Sequence, residues 1–350
     1  MCTEPFFGAS FSPESNICDA NTTSTTTPSI KIHQKSSLFY SLLIAAILSS
    51  SFDSTIVSFI DVGVIHRVKK SSQDGTNIGM QRYVASLGTS FGAIAYSFSL
   101  KYFPYGSVSC YAGLFVTYLV FAVCTGVSSY FLYKNQEINR KSSTAEAKNI
   151  LLAHIRSFDT ILFLFSVLLN GTIQALYFSF LFLYLKHLNA PTLLLGFANS
   201  MNLVSSVIVY ILSERIINFM RGPYNAMCFS CFMWGLRFIS TSSLVNPFYI
   251  FIIDIFHGFT FSLFRVACLK HVKETTNQTI FTTMCGIVNS LYLCVSFCLA
   301  NVVGGKLYDE FGARNLYRGA AVVCFVWTFI GIVYALLKNK FQKSKEYEQL

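Results

Sequence analysis

Charged side chains are scarce in this sequence. Asp, Glu, Lys and Arg make up 12% of the 350 residues, whereas a soluble domain has about 25%. Hydrophobic residues make up 53%, and the mean hydropathy is +0.52. These values exclude an ordinary water-soluble domain and predict an all-α polytopic membrane protein.

Motifs for catalysis and metal binding are also missing. The sequence has no HExxH, no Gly-x-Ser-x-Gly and no Walker loop, and its six His residues show no ligand spacing. Cys228 and Cys231 have the spacing of a redox or zinc pair, but no second pair accompanies them. We interpret them as small residues in helix packing, and we expect no enzyme activity, no metal and no cofactor.

The amino-terminal residues 1–37 lack the apolar core of a signal peptide. They are rich in Ser and Thr, which predicts a disordered tail. Asn21 begins an Asn-Thr-Thr sequence, which accepts a glycan if the tail lies outside the cell or in a lumen. We therefore predict glycosylation at Asn21 on the outer side.

Long apolar segments fill the rest of the chain and form two groups. Each segment has the length that a tilted membrane helix requires. The three predicted spans of the first group, within residues 38–133, are 38–65, 83–100 and 106–133. The six of the second group, within residues 158–337, are 158–185, 192–212, 224–240, 248–269, 280–303 and 319–337.

A basic segment, residues 134–157, separates the two groups. It contains Lys134, Arg140, Lys141, Lys148 and Arg156. Basic loops stay on the cytoplasmic side, and nine spans then place most of the 26 Lys and Arg inside. We predict an outside amino terminus and a cytoplasmic tail at residues 338–350, in the plasma membrane or an endomembrane. The preference for Lys and Arg on the cytoplasmic side also explains the net charge of +10. We therefore predict no nucleic-acid partner.

Polar side chains inside the apolar spans are the candidate functional residues, because they are costly at membrane depth. Arg237 and Asp254 lie at similar predicted depths on antiparallel helices and could neutralise each other, and His257 lies one turn from Asp254. A purely structural ion pair and hydrogen bonds between helices remain alternatives, with Arg265 extending to the membrane surface. The candidates for a solute pathway are Asp53, Asn170, Gln174, Asn199, Asn202, Arg237, Asp254, His257 and Asn289.

Four stretches together resemble a known family of carriers. They are FDSTIVS at residues 52–58 with Gln81-Arg82-Tyr83 after it, FLYLKHLNAPTLLLG at 182–196, NPFYIFIIDIFHGFTFSLFRVA at 246–267, and GGKLYDEFGARNLYR at 304–318. The combination resembles the major facilitator superfamily. It is most similar to the branch of lactose-permease-like and nucleoside symporters, with its animal facilitator-domain-six relatives.

This resemblance implies two six-helix halves joined by a cytoplasmic loop, which corresponds to residues 134–156. Only three spans precede that loop, so the resemblance implies an incomplete bundle of about nine helices, three and then six, without the first three helices of the family. Tyr83 stands where the family usually has Trp, Arg265 where relatives tend to have a large aromatic residue, and Ser206 where an acidic residue is expected.

The resemblance implies a solute transporter in the lipid bilayer, coupled to protons, for a small sugar-like or nucleoside-like molecule. A truncated or degenerate member of the family is a second possibility. A chemoreceptor-like protein that does not transport, or a membrane partner protein, is the alternative, and the 35 Phe, 19 Tyr and the length of 350 residues suit it. The sequence leaves the oligomeric state open.

Overall fold

The computed structural model describes residues 144–348 and, before them, residues 82, 87–88, 119–120, 123–124, 126–127 and 130. The tail with Asn21, the first predicted span with Asp53, and most of the second and third spans lie outside the described residues. All regular structure in the described part is helical. The all-α prediction is therefore confirmed for this part of the chain.

The described helices follow one another with short connections. They are α1 Thr144–Ile155, α2 Phe158–His187, α3 Thr192–Phe219, α4 Pro223–Ser242, α5 Ile250–Asp254, α6 Leu263–Thr275, α7 Gln278–Asn289 and α8 Ser296–Glu348. A 3-10 turn at Pro247–Tyr249 precedes α5. π-Helical turns at Gly258–Ser262 and Ser290–Val295 lead into α6 and α8.

Local sequence signals account for several helix ends. Ser157 caps α2, because its hydroxyl accepts a hydrogen bond from the Thr160 amide at 3.3 Å. Gly222 has a φ of 135°, a conformation that suits glycine, and it ends the turn between α3 and α4. Pro223 then opens α4 at its first position, where a missing amide hydrogen costs little.

Within the described residues, three helical stretches are long and apolar enough to cross a membrane: Phe158–His187, Met201–Phe219 and Thr279–Lys338. The pair Pro247–Asp254 and Gly258–Thr275 makes a fourth if its two helices, which meet at 44°, form one bent span. The helix α4 covers the predicted sixth span but is not among these stretches. These helices indicate a membrane protein. The count of nine spans stays a prediction.

The stretch Thr279–Lys338 has 60 residues and would measure about 90 Å as a straight helix, some three times the hydrocarbon thickness. Gly312, with a φ of 74° and a ψ of 166°, interrupts it. Before the break, Ser296 bonds to the Leu168 carbonyl at 2.8 Å, and the Tyr308 ring stacks on Phe180 at 5.2 Å. The chain therefore runs alongside α2 up to Gly312.

After Gly312 the chain runs back along α2. The Arg314 Nε donates to the Tyr184 hydroxyl at 3.4 Å, and the Trp327 indole donates to Ser166 at 3.1 Å. At the far end, Lys338 pairs with Asp159. In this second arm, residues with higher numbers in α8 contact residues with lower numbers in α2. The second arm therefore runs antiparallel to the first, and α8 is a hairpin of two helices.

The sequence predicts a link over residues 304–318 that begins with Gly304-Gly305. The structure places the turn within this link, at Gly312, and the helix continues through Gly304 and Gly305. A Cβ atom at Gly304 would lie 2.8 Å from the Phe180 ring. The glycine at 304 is therefore used for close helix packing rather than for a turn.

The predicted basic segment, residues 134–157, also contains more structure than a loop. Helix α1 lies within it, and its Ile150, Leu151 and Ile155 pack against the buried core. Lys148 and Arg156 are exposed. The described part of the segment is thus largely a short helix whose three apolar side chains pack on the bundle.

Candidate functional site

The main polar site is built around Arg237, which lies on α4, and Asp254, the last residue of α5. The Arg237 Nη2 lies 2.5 Å from the Asp254 Oδ1, and both side chains are fully buried. The structure therefore brings together the ion pair that the predicted depths of the two residues suggested. Two opposite charges at this depth offset much of each other's desolvation cost.

Three more side chains bind the same guanidinium group. The Nη2 donates to the Asn202 Oδ1 at 3.0 Å, and the Nη1 lies 2.9 Å from the His257 Nδ1 and 3.3 Å from the Thr260 hydroxyl. A guanidinium can only donate, so the His257 Nδ1 accepts and the ring is neutral, with its proton on Nε2. Arg237 therefore joins α3 and the bent α5–α6 segment to α4.

Tyr177 on α2 completes this group. Its hydroxyl donates to the Asp254 Oδ1 at 3.3 Å, and the Arg237 Cζ lies 4.2 Å from the centre of its ring. The Trp234 ring lies 5.2 Å from the same Cζ. Cation–π contacts of this kind stabilise a buried guanidinium. We call this group the Arg237 cluster; it consists of Tyr177, Asn202, Arg237, Asp254, His257 and Thr260.

The ion pair does not use all the hydrogen-bonding atoms of its two side chains. Among the described residues, the Asp254 Oδ2 and the Arg237 Nε have no hydrogen-bond partner, although both atoms are buried. An Arg–carboxylate pair often makes two parallel hydrogen bonds, whereas this pair uses one oxygen only. A buried polar atom without a partner costs about 1–3 kcal/mol. The open oxygen leaves a place for a proton on Asp254.

The bent segment that carries Asp254 is held by one residue of α3. The Ser205 hydroxyl accepts from the Gly258 amide at 2.9 Å and donates to the Ile255 carbonyl, which satisfies backbone groups that the break releases. A Cβ atom at Gly258 would lie 2.4 Å from the Ser205 carbonyl oxygen. The glycine therefore allows α3 to lie against the break, next to a π-helical turn of the kind often found at functional sites.

A second polar group surrounds Arg265 on α6. Its Nη1 donates to the Asn289 Oδ1 at 2.8 Å, and its Cζ lies 5.1 Å from the centre of the Tyr292 ring. The Tyr292 hydroxyl in turn donates to the Gln174 Oε1 on α2. We call this group the Arg265 cluster; it consists of Gln174, Arg265, Asn289 and Tyr292. It connects α2, α6 and α7 through buried polar contacts.

The predicted site residues divide between the two clusters. Asn202, Arg237, Asp254 and His257 belong to the Arg237 cluster, and Gln174 and Asn289 belong to the Arg265 cluster. Asn170 lies one turn from Gln174 and donates to the Ser166 carbonyl at 3.3 Å, while its own Oδ1 has no partner in the described part. Asp53 and the side chain of Asn199 lie outside the described residues.

Sequence reasoning missed several members of these clusters. Tyr177 lies three residues after Gln174 and so shares a face of α2 with it, which was a usable signal. The alternative in which Arg265 extends to the membrane surface does not describe the structure, because Arg265 is 7% exposed and bonded to Asn289. Thr260 and Tyr292 gave no signal, since Thr and Tyr are common in membrane helices.

In the part of the chain that the structure describes, no group of three or more His, Cys, Asp and Glu could hold a metal ion. Cys228 and Cys231 are buried as free thiols. The Cys231 thiol donates to the Cys324 carbonyl at 3.5 Å, which joins α4 to the second arm of α8. Their contacts are those of helix packing.

A comparison with known protein families places this chain in a family. A model of the MFS_1 like family matches residues 20–319. The matched region includes every residue of the Arg237 and Arg265 clusters. It also extends over both sides of the basic segment 134–157, so it covers the three predicted amino-terminal spans as well as most of the described helices.

Proposed function

Because the chain belongs to the MFS_1 like family, which comprises membrane transporters of the major facilitator type, we propose that it carries a small solute across a membrane and couples this movement to a proton. The proposed solute is sugar-like or nucleoside-like. In this family type, the solute binds near the membrane midplane between two halves that rock to expose it to each side in turn.

The observation that supports coupling is the unsaturated ion pair of the Arg237 cluster. A proton on the open Oδ2 would neutralise Asp254 and weaken its attraction to Arg237. Arg237 would then depend on Asn202, His257 and Tyr177, which lie on other elements. One proton could in this way change how α2, α3 and α4 are held against the bent segment.

The bent segment is the element that would respond. Asp254 ends α5, and the break to the π-helical turn at Gly258 follows within four residues. A change at Asp254 therefore acts directly beside the 44° bend, and element ends of this kind can serve as hinges. We propose that this bend is where protonation is converted into a change of access.

The proposed solute contacts come from amide side chains. Asn170 and Gln174 share one face of α2, and Asn289 on α7 belongs with Gln174 to the Arg265 cluster. Amides both donate and accept hydrogen bonds, which suits the hydroxyl groups of a sugar or a nucleoside. The buried Oδ1 of Asn170 is an acceptor that such a solute could use.

Uptake into vesicles tests this proposal. The full chain is placed in proteoliposomes, and a panel of labelled sugars and nucleosides is offered with and without an inward proton gradient. We expect one class of solute to accumulate in a gradient-dependent way, and Asp254→Asn to lose that dependence. Glu310→Gln, which removes one negative charge from an exposed i,i+4 pair with Lys306, is the matched control and should transport normally.

Two outcomes would contradict the proposal. The first is no uptake of any solute by a correctly inserted, folded chain, which would favour the receptor alternative. The second is gradient-dependent uptake that is the same in Asp254→Asn and the parent chain, which would make the ion pair purely structural.

A further inference from the structure

Three buried tyrosines connect Asp254 with one end of the helical bundle. The Tyr177 hydroxyl donates to the Asp254 Oδ1 at 3.3 Å. The centre of the Tyr317 ring, on the second arm of α8, lies 6.2 Å from that of Tyr177 and 5.7 Å from that of Tyr184. We call Tyr177, Tyr317 and Tyr184 the tyrosine column. All three residues are buried, so the column runs through the interior of the described bundle.

The column leads away from the ion pair along α2. Tyr184 lies seven residues after Tyr177, so the two side chains share a face of α2 and are about 10 Å apart along its axis. Tyr317 contacts both rings and bridges this distance from another helix. At the far end, the Tyr184 hydroxyl donates to the Leu244 carbonyl at 3.3 Å, in the link that follows α4. The charge pattern predicts that this link faces outside.

Packing alone does not account for the hydroxyl group of Tyr317. Within the described part of the chain this hydroxyl has no hydrogen-bond partner, although the residue is fully buried, and such a group is costly. The centre of the Phe238 ring lies 5.6 Å from that of Tyr317 and 5.7 Å from that of Tyr177. A ring without a hydroxyl therefore packs well at this place. Phenylalanine at 317 would give the same packing without the unpaired group.

A hydroxyl group at this place can pass a proton on. It both donates and accepts hydrogen bonds, so its oxygen can take up one proton while its own proton leaves for the next acceptor. The final acceptor is a carboxylate, and Asp254 offers one, because its Oδ2 has no partner among the described residues. Buried chains of polar side chains carry protons in this way in membrane proteins.

We propose that Tyr317 relays protons between the outer end of the bundle and Asp254, through Tyr184 on one side and Tyr177 on the other. The inference rests on the proton coupling proposed above and names the route by which the proton reaches the ion pair. One proton leaves the outer water, one O–H bond forms on the Asp254 carboxylate, and each tyrosine exchanges one hydroxyl proton for another. A water molecule carries the proton between two hydroxyls that do not touch.

Arg314 closes the outer end of the tyrosine column. Its Nε donates to the Tyr184 hydroxyl and its Nη2 to the Leu244 carbonyl, both at 3.4 Å. A cation beside this hydroxyl repels an arriving proton. The relay therefore carries protons when Arg314 has moved away from Tyr184. Entry of the proton is in this way joined to a movement of the second arm of α8 against α2.

Time-resolved infrared spectroscopy tests the relay without any solute. The full chain is inserted into sealed vesicles with its predicted outer end exposed, and the pH is lowered on the outside only. The carbonyl band of the protonated Asp254 carboxyl is followed, and Asp254→Asn, which lacks it, identifies this band. We expect Tyr317→Phe to slow the appearance of the band tenfold or more and to leave the midpoint pH of its final intensity unchanged. A merely structural role would shift that midpoint, because a disturbed ion pair binds the proton with a different affinity.

Tyr224→Phe is the matched control. The Tyr224 hydroxyl is also buried without a partner in the described part of the chain. It lies near the other end of the bundle, where the centre of its ring is 5.6 Å from that of Tyr334. The substitution removes the same group outside the tyrosine column, so the band should appear at the parent rate. Both variants should unfold at the parent temperature or above it, because each loses only an unpaired hydroxyl.

Equal rates in Tyr317→Phe and the parent chain would overturn the inference, as would an equally slow band in Tyr224→Phe. Uptake of labelled glucose and labelled uridine into vesicles separates this failure from failure of the proposed function. Gradient-driven uptake that depends on Asp254 and not on Tyr317 refutes the relay and leaves coupled transport standing. Protonation at a rate that depends on Tyr317, without uptake of any solute, supports the relay and refutes transport. A parent chain that shows no Asp254 carboxyl band refutes both.

Discussion

At the scale of single residues, the Arg237 cluster depends on one charge pair that water does not reach. Arg237 and Asp254 are both fully buried and are 2.5 Å apart. Removing one partner leaves an uncompensated charge, whereas removing both leaves none. A double substitution that removes both charges therefore distinguishes a structural role of the pair from a functional one.

We predict that Asp254→Asn lowers the free energy of unfolding by about 3–5 kcal/mol, because Arg237 keeps its charge without its partner. The double variant Arg237→Gln with Asp254→Asn should recover most of this loss. Chemical unfolding of the full chain in detergent measures both. A double variant as unstable as the single one would contradict the ion pair, and Glu310→Gln, an exposed control, should change stability by less than about 0.5 kcal/mol.

The same pair shows how far residues can be predicted from sequence. Arg237 and Asp254 could be paired because a charge in an apolar span needs a partner at its own depth. Tyr177 and Thr260 could not be predicted as contacts of Arg237. Their roles depend on which helices pack around the guanidinium, and the sequence of one helix does not contain that information. The free Oδ2 of Asp254 is likewise a property of the packed helices.

At the scale of elements, the break after α5 is stabilised from α3. Ser205 bonds to the backbone at Ile255 and Gly258, while its neighbour Ser206 is buried without a partner for its hydroxyl in the described part. The two serines therefore form a matched pair of sites. They differ in bonding and share residue type, helix and burial.

We predict that Ser205→Ala lowers the free energy of unfolding by about 1–3 kcal/mol, because two buried backbone groups lose their partner. Ser206→Ala should be neutral within about 0.5 kcal/mol, because no bond is lost. Chemical unfolding of the two variants side by side measures the difference. Equal effects of the two substitutions would show that Ser205 does not hold the break.

The turn at Gly312 is the second element that a substitution can test. We predict that Gly312→Ala costs about 1–3 kcal/mol in unfolding free energy, because its φ of 74° with a ψ of 166° suits glycine almost alone. Gly305→Ala lies within the helix with open space around it, so it should be neutral or stabilising by up to about 1 kcal/mol. A loss at Gly305 and none at Gly312 would place the turn at Gly304-Gly305, where the predicted link begins.

That expectation shows what the apolar pattern can predict at this scale. Hydropathy placed two spans within residues 280–337. The first covers α7, the π-helical turn and the start of α8, and the second lies in the second arm of the α8 hairpin. The pattern could not place the turn, because Gly304-Gly305 and Gly312 are both plausible breaks in a sequence. The tight contact of Gly304 with Phe180, a residue of another helix, decides between them.

At the scale of the whole molecule, the account requires two groups of helices on either side of a cytoplasmic segment. Composition alone predicts a membrane protein, and the family match from residue 20 to residue 319 supports it. The side on which each terminus lies follows from charge only. It therefore stays a prediction.

We predict that an epitope tag at Ser143 and a tag at the carboxyl terminus lie on the same, cytoplasmic face, because six spans separate them and basic loops stay inside. Asn21 should carry a glycan on the other face. Antibody access in intact and permeabilised cells measures the side of each tag. Enzymatic removal of the glycan detects glycosylation at Asn21. Tags on opposite faces would contradict the arrangement.

The central claim is that solute and proton move together through the Arg237 cluster. The most direct measurement is the pH inside proteoliposomes, followed with a trapped dye when a transported solute is added outside. The account predicts that the interior acidifies with the parent chain and with Glu310→Gln, and does not with Asp254→Asn. Solute entry with no change of internal pH in the parent chain would contradict it.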